Sequence, residues 1–183
     1  MFNFKRIFDI IFSLLGLLIF GWLILIFWIL ATIDTKSNGF FFQDRIGQFA
    51  KIFKIVKLKT IHPKTGTISQ FGSFLRKSKL DELPQFWNVV IGDMSFVGPR
   101  PDVVGYYDVL EGDYRKILEL KPGLTSLASI KYANEEEILE LQENSLLYND
   151  TIIFPDKVKM NFDYYKNHSI LGDIKIIIKT IFR

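Results

Sequence analysis

From Ile10 to Ile33 the chain carries no charged residue, and this run limits what the rest can be. A helix of that length reaches about 36 Å, enough to cross a hydrocarbon layer of roughly 30 Å with some tilt. Lys5 and Arg6 stand just before it, which assigns that end to the cytoplasmic side. A secretory signal peptide would have a shorter apolar region followed by a small-x-small cleavage site. A core helix of a soluble protein is also a poor description of so long a run. The segment reads as a permanent anchor, and two geometries are open to it. Gly16 and Gly21 weaken the helix in mid-run and allow a re-entrant anchor that returns to the same face. No proline marks a break, so the run by itself favours a full span.

The chain is 49% hydrophobic with 18 Phe, and much of that apolar excess sits in the first 33 residues. The remainder has an ordinary soluble composition with a basic tilt, sufficient for one compact domain. A net charge of +3 with clustered lysines suits an anionic membrane surface or phosphate-bearing substrates. The absence of cysteine excludes disulfides and thiolate metal sites.

Phe40–Asp44 and Lys51–Lys59 are strand-like, and Gly47 in the connection predicts a small β-hairpin. Phe71–Lys79 is predicted helical, with Phe71, Phe74 and Leu75 on one face and Arg76, Lys77 and Lys79 exposed. Residues 83–91 read as a second, apolar helix, followed by a loop from Gly92 to Pro101. Val103–Leu120 reads as a helix weakened by Gly105 and Gly112 and stopped by Pro122-Gly123. Asn134 caps an acidic helix bearing Glu135, Glu136, Glu137, Glu140 and Glu143, read as a solvated face. At the C-terminal end Ile174, Ile177, Ile178 and Ile181 share a stripe, with Lys175 and Lys179 elsewhere on the helix. That stripe suits anionic lipid or core packing equally.

Three elements can carry chemistry. Pro84 cannot sit deep in a helix, so the helix begins only a few residues earlier and holds Asp81 and Glu82 at its N-terminal end. An ionised Asp there can attack phosphorus, and a neighbouring Glu can hold Mg²⁺ against phosphate oxygens. The competing description is a capping box, Ser78 to Asp81, which would leave Pro84 too far inside. Around these acids stand Lys57, Lys59, Arg76, Lys77 and Lys79, fixed positive charge of the kind a diphosphate needs. Lys57 and Lys59 alternate, as on one strand face. In Gly98-Pro99-Arg100-Pro101, two prolines fix the backbone on either side of one guanidinium, ready for a phosphate or base edge. His62 and His168 lack ligand spacing, and no Walker loop, dinucleotide fingerprint or nucleic-acid motif is found.

Taken in order, these residues resemble the bacterial sugar transferase family, the small monotopic phosphoglycosyl transferases. The resemblance rests on Lys5–Asp9, Phe41–Gly47, Lys57–Thr60, Asp81–Gln85, Gly92–Pro101, Lys121–Thr125, Tyr164, Asn167 and Asp173–Lys175, and covers almost the whole chain. It implies an α+β, mostly helical fold: a re-entrant membrane helix in residues 1–36, then a cytoplasmic catalytic domain, 37–183, with a small β-hairpin, catalytic helices and amphipathic interfacial helices. It implies attack by Asp81 on a UDP-sugar, release of UMP, and transfer of the phosphosugar to undecaprenyl phosphate. By the same carry-over Glu82 binds Mg²⁺, Lys59 and Arg76 meet phosphates, and Pro99, Arg100 and Pro101 border the nucleotide; Lys57 and Thr125 are counted with the substrate-binding residues. The implied setting is the bacterial inner membrane, facing the cytoplasm, in contact with membrane lipids. The product would feed a glycoprotein glycan, capsule, exopolysaccharide or lipopolysaccharide. Homo-oligomerisation is left open, and no nucleic-acid partner is expected.

Three positions depart from the family pattern. Gly21-Trp22 stands where a Ser-Pro break is usual, Ser126–Asn134 lacks a Gly-Arg pair, and Asn161 replaces a frequent Asp. Two other readings compete: a membrane glycosyltransferase that moves the bare sugar and releases UDP, and a non-catalytic membrane-anchored adaptor whose acids only cap a helix.

Overall fold

The computed structural model describes residues 2–182, so Met1 and Arg183, the outer limits of the two expected domains, lie outside the described residues. It is mostly helical, with two small two-stranded sheets. The chain divides into two compact units. One runs up to Arg45 and includes Ile52–Asp93; the other is Ile46–Lys51 together with Met94 onward.

In the first unit, α1 (Phe2–Thr35) is one unbroken helix, long and apolar enough to cross a membrane. It passes through Gly16 and Gly21 without interruption. Gly16 serves a contact instead, since a Cβ there would lie 3.0 Å from the Phe86 ring, while one at Gly21 would meet nothing within 4 Å. Its buried side is a stripe of small and polar residues, Asp9, Ser13, Gly16, Ala31 and Thr35 with Ile24. Leu18, Trp22 and Ile33 lie exposed on the remainder. β1 (Phe40–Ile46) pairs with β2 (Ile52–Leu58), as predicted. α2 (Gln70–Lys77) is capped by Ser69, whose Oγ accepts from Gly72 N and donates to Asp34 at the end of α1. Of the predicted apolar face on α2, Leu75 is buried but Phe74 is exposed. α3 (Gln85–Ile91) packs along α1 through Phe86, and Arg6 caps its C-terminal end by donating to Val89 O (2.5 Å) and Val90 O (2.7 Å).

In the second unit, β3 (Ser95–Val97) and β4 (Gly123–Thr125) pair in parallel, with Ser95 opposite Gly123 and Val97 opposite Thr125. The helix predicted over Val103–Leu120 does not form. Gly105 (φ +102°) and Gly112 (φ +57°) take left-handed conformations that interrupt it. The Asp108 carboxylate accepts from Gly105 N and Tyr106 N, and only 3₁₀ segments remain, Tyr107–Val109 and Gly112–Glu119. Ile46, Tyr107, Ile117, Leu118 and Val158 form the core.

α4 (Leu127–Lys131), α5 (Glu135–Glu140) and α6 (Ser145–Tyr148) follow. Asn134 precedes α5 but its side chain does not cap it; Glu135 pairs with Lys157 at 2.6 Å, and Glu136, Glu137 and Glu140 are exposed. Two longer helices close the chain, α7 (Phe154–Asn167) and α8 (Ile170–Ile181). Asn161 is buried in α7 and donates to the Tyr107 hydroxyl at 2.7 Å, a bond that an ionised Asp could not give. On α8 the buried residues are Asp173 and Ile176, and the predicted stripe faces outward at Ile174, Ile178 and Ile181.

Candidate active site

The geometry around Asp81 begins with the end of α2. Ser78 closes that helix, its Oγ donating back to Phe74 O (2.7 Å) and Leu75 O (3.2 Å). Ser78 therefore caps the helix behind it, and the capping box that competed with a catalytic reading is not formed. Lys79 then turns the chain in the left-handed region, φ 57°. One 3₁₀ turn, Leu80–Glu82, carries both acids, and Pro84 enters α3 where no N–H is required. The acids thus lie just before the helix, at the end its dipole makes favourable for negative charge.

Asp81 is 8% exposed, and its Oδ1 is buried without a hydrogen-bond partner. Burial pushes its carboxyl above the usual range and the Glu82 charge adds to this, while Lys57, Lys79 and Arg76 oppose it. Lys57 Nζ donates to Glu82 Oε1 at 2.9 Å. The expected set therefore comes together in part: Asp81, Glu82 and Lys57 meet, and Arg76 acts on Asp81 through its charge. Lys59 does not share a target with Lys57. Its ammonium donates to Ser37 Oγ at 3.0 Å, in the turn after α1.

Asn88 is a positioning residue the sequence reading missed. Its Oδ1 accepts from Val56 N (3.1 Å) and its Nδ2 donates to Lys54 O (2.8 Å), so one amide fastens α3 to β2. A lone amide inside the apolar run Phe86–Ile91 was the available signal, because a buried amide must find partners.

Mg²⁺ usually keeps several waters and is held by one or two carboxylates plus substrate phosphates. Glu82, with the unbonded Oδ1 of Asp81 beside it, fits that limited demand. Among the described residues no group of three or more His, Cys, Asp or Glu is placed to form an all-protein cage.

The Gly98–Pro101 element belongs to the second unit. Pro99 and Pro101 are buried and Arg100 between them is exposed, an arrangement that presents a guanidinium on a fixed backbone. They line a small pocket with Ile46, Gly47 and Tyr107. Thr125 is buried, and its Oγ1 lies 2.7 Å from Thr180 Oγ1, a link to α8. The histidines are in ordinary roles. His62 Nδ1 accepts from the turn amides of Lys64 and Thr65, and His168 Nδ1 lies 2.9 Å from Tyr165 O.

The profile of the family described as bacterial sugar transferase matches residues 1–183. The chain is 34% identical over 199 residues to a UDP-glucose:undecaprenyl-phosphate glucose-1-phosphate transferase of Klebsiella pneumoniae, covering 98% of this chain and 40% of that protein. It is 32% identical over 200 residues to the galactosyl transferase CpsE of Streptococcus agalactiae, covering 97% and 41%. A UDP-glucose:undecaprenyl-phosphate glucose-1-phosphate transferase of Caulobacter vibrioides is 28% identical over 193 residues, covering 97% and 68%. The chain thus spans about two fifths of the length of the first two relatives. With a buried acid at a helix entrance, an apolar N-terminal helix and a match from end to end, this chain belongs to the bacterial sugar transferase family.

Proposed function

We propose that the chain moves a sugar-1-phosphate from a UDP-sugar to undecaprenyl phosphate at the cytoplasmic face of the bacterial inner membrane, supplying capsule, exopolysaccharide or lipopolysaccharide synthesis. The observation that carries this reading is Asp81: a nearly buried carboxylate with an unbonded oxygen, beside Glu82 and three cations. A merely structural acid would have its oxygens hydrogen-bonded. In the first step an Asp81 oxygen attacks the phosphorus that bears the sugar. The bond from that phosphorus to the bridging oxygen breaks, and UMP leaves with the electron pair. The acyl phosphate is then attacked at the same phosphorus by a phosphate oxygen of undecaprenyl phosphate, which frees the carboxylate. Glu82 would hold Mg²⁺, which when bound offsets charge on the phosphates. Lys57 and Arg76 add fixed positive charge.

The packing of α1 supports an anchor that does not cross the membrane. Gly16 and Phe20 meet Phe86, a few residues after the acids; Phe27 meets Phe71, before them. In the chain, Asp81 and Glu82 fall between these contacts, and from this order we read them as lying alongside the uncharged run. A perpendicular span would sink both acids and their lysine into hydrocarbon, at about 3 kcal/mol for each charge on insertion scales. Arg6 and Asp34, near opposite ends of α1, are also bonded within the same unit. A re-entrant or in-plane helix avoids the cost. The outward Ile174, Ile178 and Ile181 of α8, with Lys175 and Lys179 on the same helix, fit a lipid surface.

Two experiments test these statements. Purified protein with Mg²⁺, undecaprenyl phosphate and a panel of UDP-sugars is expected to release UMP, and donor alone to leave a phosphosugar adduct on Asp81. Release of UDP, or a protein that never carries the adduct, rejects the reaction. For topology, the chain has no cysteine of its own, so Lys5→Cys and Lys77→Cys can each be labelled singly. Both are expected to react from the cytoplasmic side only; a Lys5→Cys reached solely from outside rejects the anchor.

A further inference from the structure

The carboxylate next to Asp81 is already engaged by a cation. Lys57 Nζ lies 2.9 Å from Glu82 Oε1, and both side chains are largely shielded, 17% and 14% exposed. Lys57 stands on β2 and Glu82 on the turn before α3, while Asn88 fastens α3 to β2 by two hydrogen bonds. The pair is therefore held by the backbone on both sides, unlike a chance meeting of mobile surface chains. Two demands converge on it. A divalent cation at Glu82 must enter a position where a positive charge already sits, and cations a few ångströms apart repel strongly in a shielded site. The diphosphate of the donor needs positive charge close to the reacting phosphorus. Lysine carries a compact charge on a flexible four-carbon stem, so a small movement of one side chain answers both demands.

We propose that Lys57 is a displaceable stand-in for the divalent cation, holding Glu82 before the donor binds and released toward the donor phosphates when the cation takes the carboxylate. The proposal rests on the reaction given above and adds a positioning role for Lys57. It also makes cation and donor binding mutually reinforcing, because each removes an obstacle to the other.

The test is Mn²⁺ binding to the full chain in lipid nanodiscs without donor, followed by the paramagnetic resonance of free Mn²⁺. Lys57→Met is expected to bind Mn²⁺ about tenfold more tightly than wild type, within the usual range for two coupled sites. Lys57→Arg is expected to stay near wild type, and Glu82→Gln to lose binding with either residue at position 57. Added UDP is expected to raise Mn²⁺ affinity in wild type more than in Lys57→Met. A damaged fold does not tighten a metal site, so the gain separates positioning from mere structural support. If Lys57→Met binds Mn²⁺ no more tightly than wild type while Glu82→Gln abolishes binding, the stand-in is overturned and the cation assignment survives. Mn²⁺ binding that ignores Glu82→Gln overturns both, and adduct formation on Asp81 tests the reaction separately.

Discussion

Asp81→Asn is expected to lose sugar-phosphate transfer by more than about a thousandfold and, at the same time, to melt at a higher temperature than the wild type. The loss follows from chemistry, because a neutral amide is not a nucleophile toward phosphorus and covalent catalysis of this kind has no second route. The gain follows from burial. Wild-type Asp81 is 8% exposed with an unbonded oxygen, and a buried polar group left unsatisfied costs about 1–3 kcal/mol, more when charged. Asparagine keeps the shape and removes the charge. Recovering about 1 kcal/mol corresponds to a rise of about 2–4 °C for a chain of this size.

The sign with pH is fixed by the direction of the shift. Burial and the Glu82 charge raise the folded-state carboxyl above its ordinary value. Wild-type stability relative to Asp81→Asn is therefore greatest below the unfolded carboxylate range, and it falls as pH rises through the raised value. The melting difference between the two proteins is expected to be full at neutral pH and to close on acidification. Differential scanning fluorimetry across that range, beside a turnover assay, reads both effects. An Asp81→Asn protein that melts lower than wild type at neutral pH would mean that the acid is structural.

How far this was legible in the sequence depended on the range of the interactions concerned. The long apolar N-terminal helix, the hairpin and a helix entrance near Pro84 are local, and period, glycine and proline placement were enough to find them. The capping box at Ser78, already weakened by Pro84, is not formed because Ser78 bonds backward into α2. Val103–Leu120 misled because the reading let the helix run through two glycines that take left-handed conformations, one of them, Gly105, held by the Asp108 carboxylate. β3 and β4 are three residues each and pair across the length of that loop, so no window short enough to read periodicity contains both. For the site, residue types told which groups could act, but the Lys57–Glu82 pair and the amide of Asn88 are contacts over 25 and more residues. Alternation alone suggested that Lys57 and Lys59 share a target, whereas the end of β2 at Leu58 sends Lys59 to Ser37.

Gly123→Ala is expected to unfold the second unit's sheet, because the added methyl would meet the backbone of Gly98. A Cβ at Gly123 would lie 2.1 Å from Gly98 N and 2.6 Å from Gly98 O, and one at Gly98 would lie 2.3 Å from Lys121 O. These are backbone atoms, which cannot rotate away as a side chain can. Relief requires the two segments to part, which breaks the bonds from Gly98 N to Thr125 O, Gly123 N to Pro99 O and Ser95 N to Pro122 O. Those bonds hold the strands on either side of Pro99-Arg100-Pro101, so the rigid presentation of Arg100 is lost with them. Losses of this kind reach about 4–5 kcal/mol, a fall of roughly 10 °C or more at the size of this chain. Gly21→Ala is the matched control, since its Cβ meets nothing within 4 Å and alanine in a helix is favoured over glycine by about 0.5–1 kcal/mol. Thermal melts followed by circular dichroism should move in opposite directions for the two variants. A Gly123→Ala protein with a wild-type melt would show that β3 and β4 do not cross as closely as the structure has them.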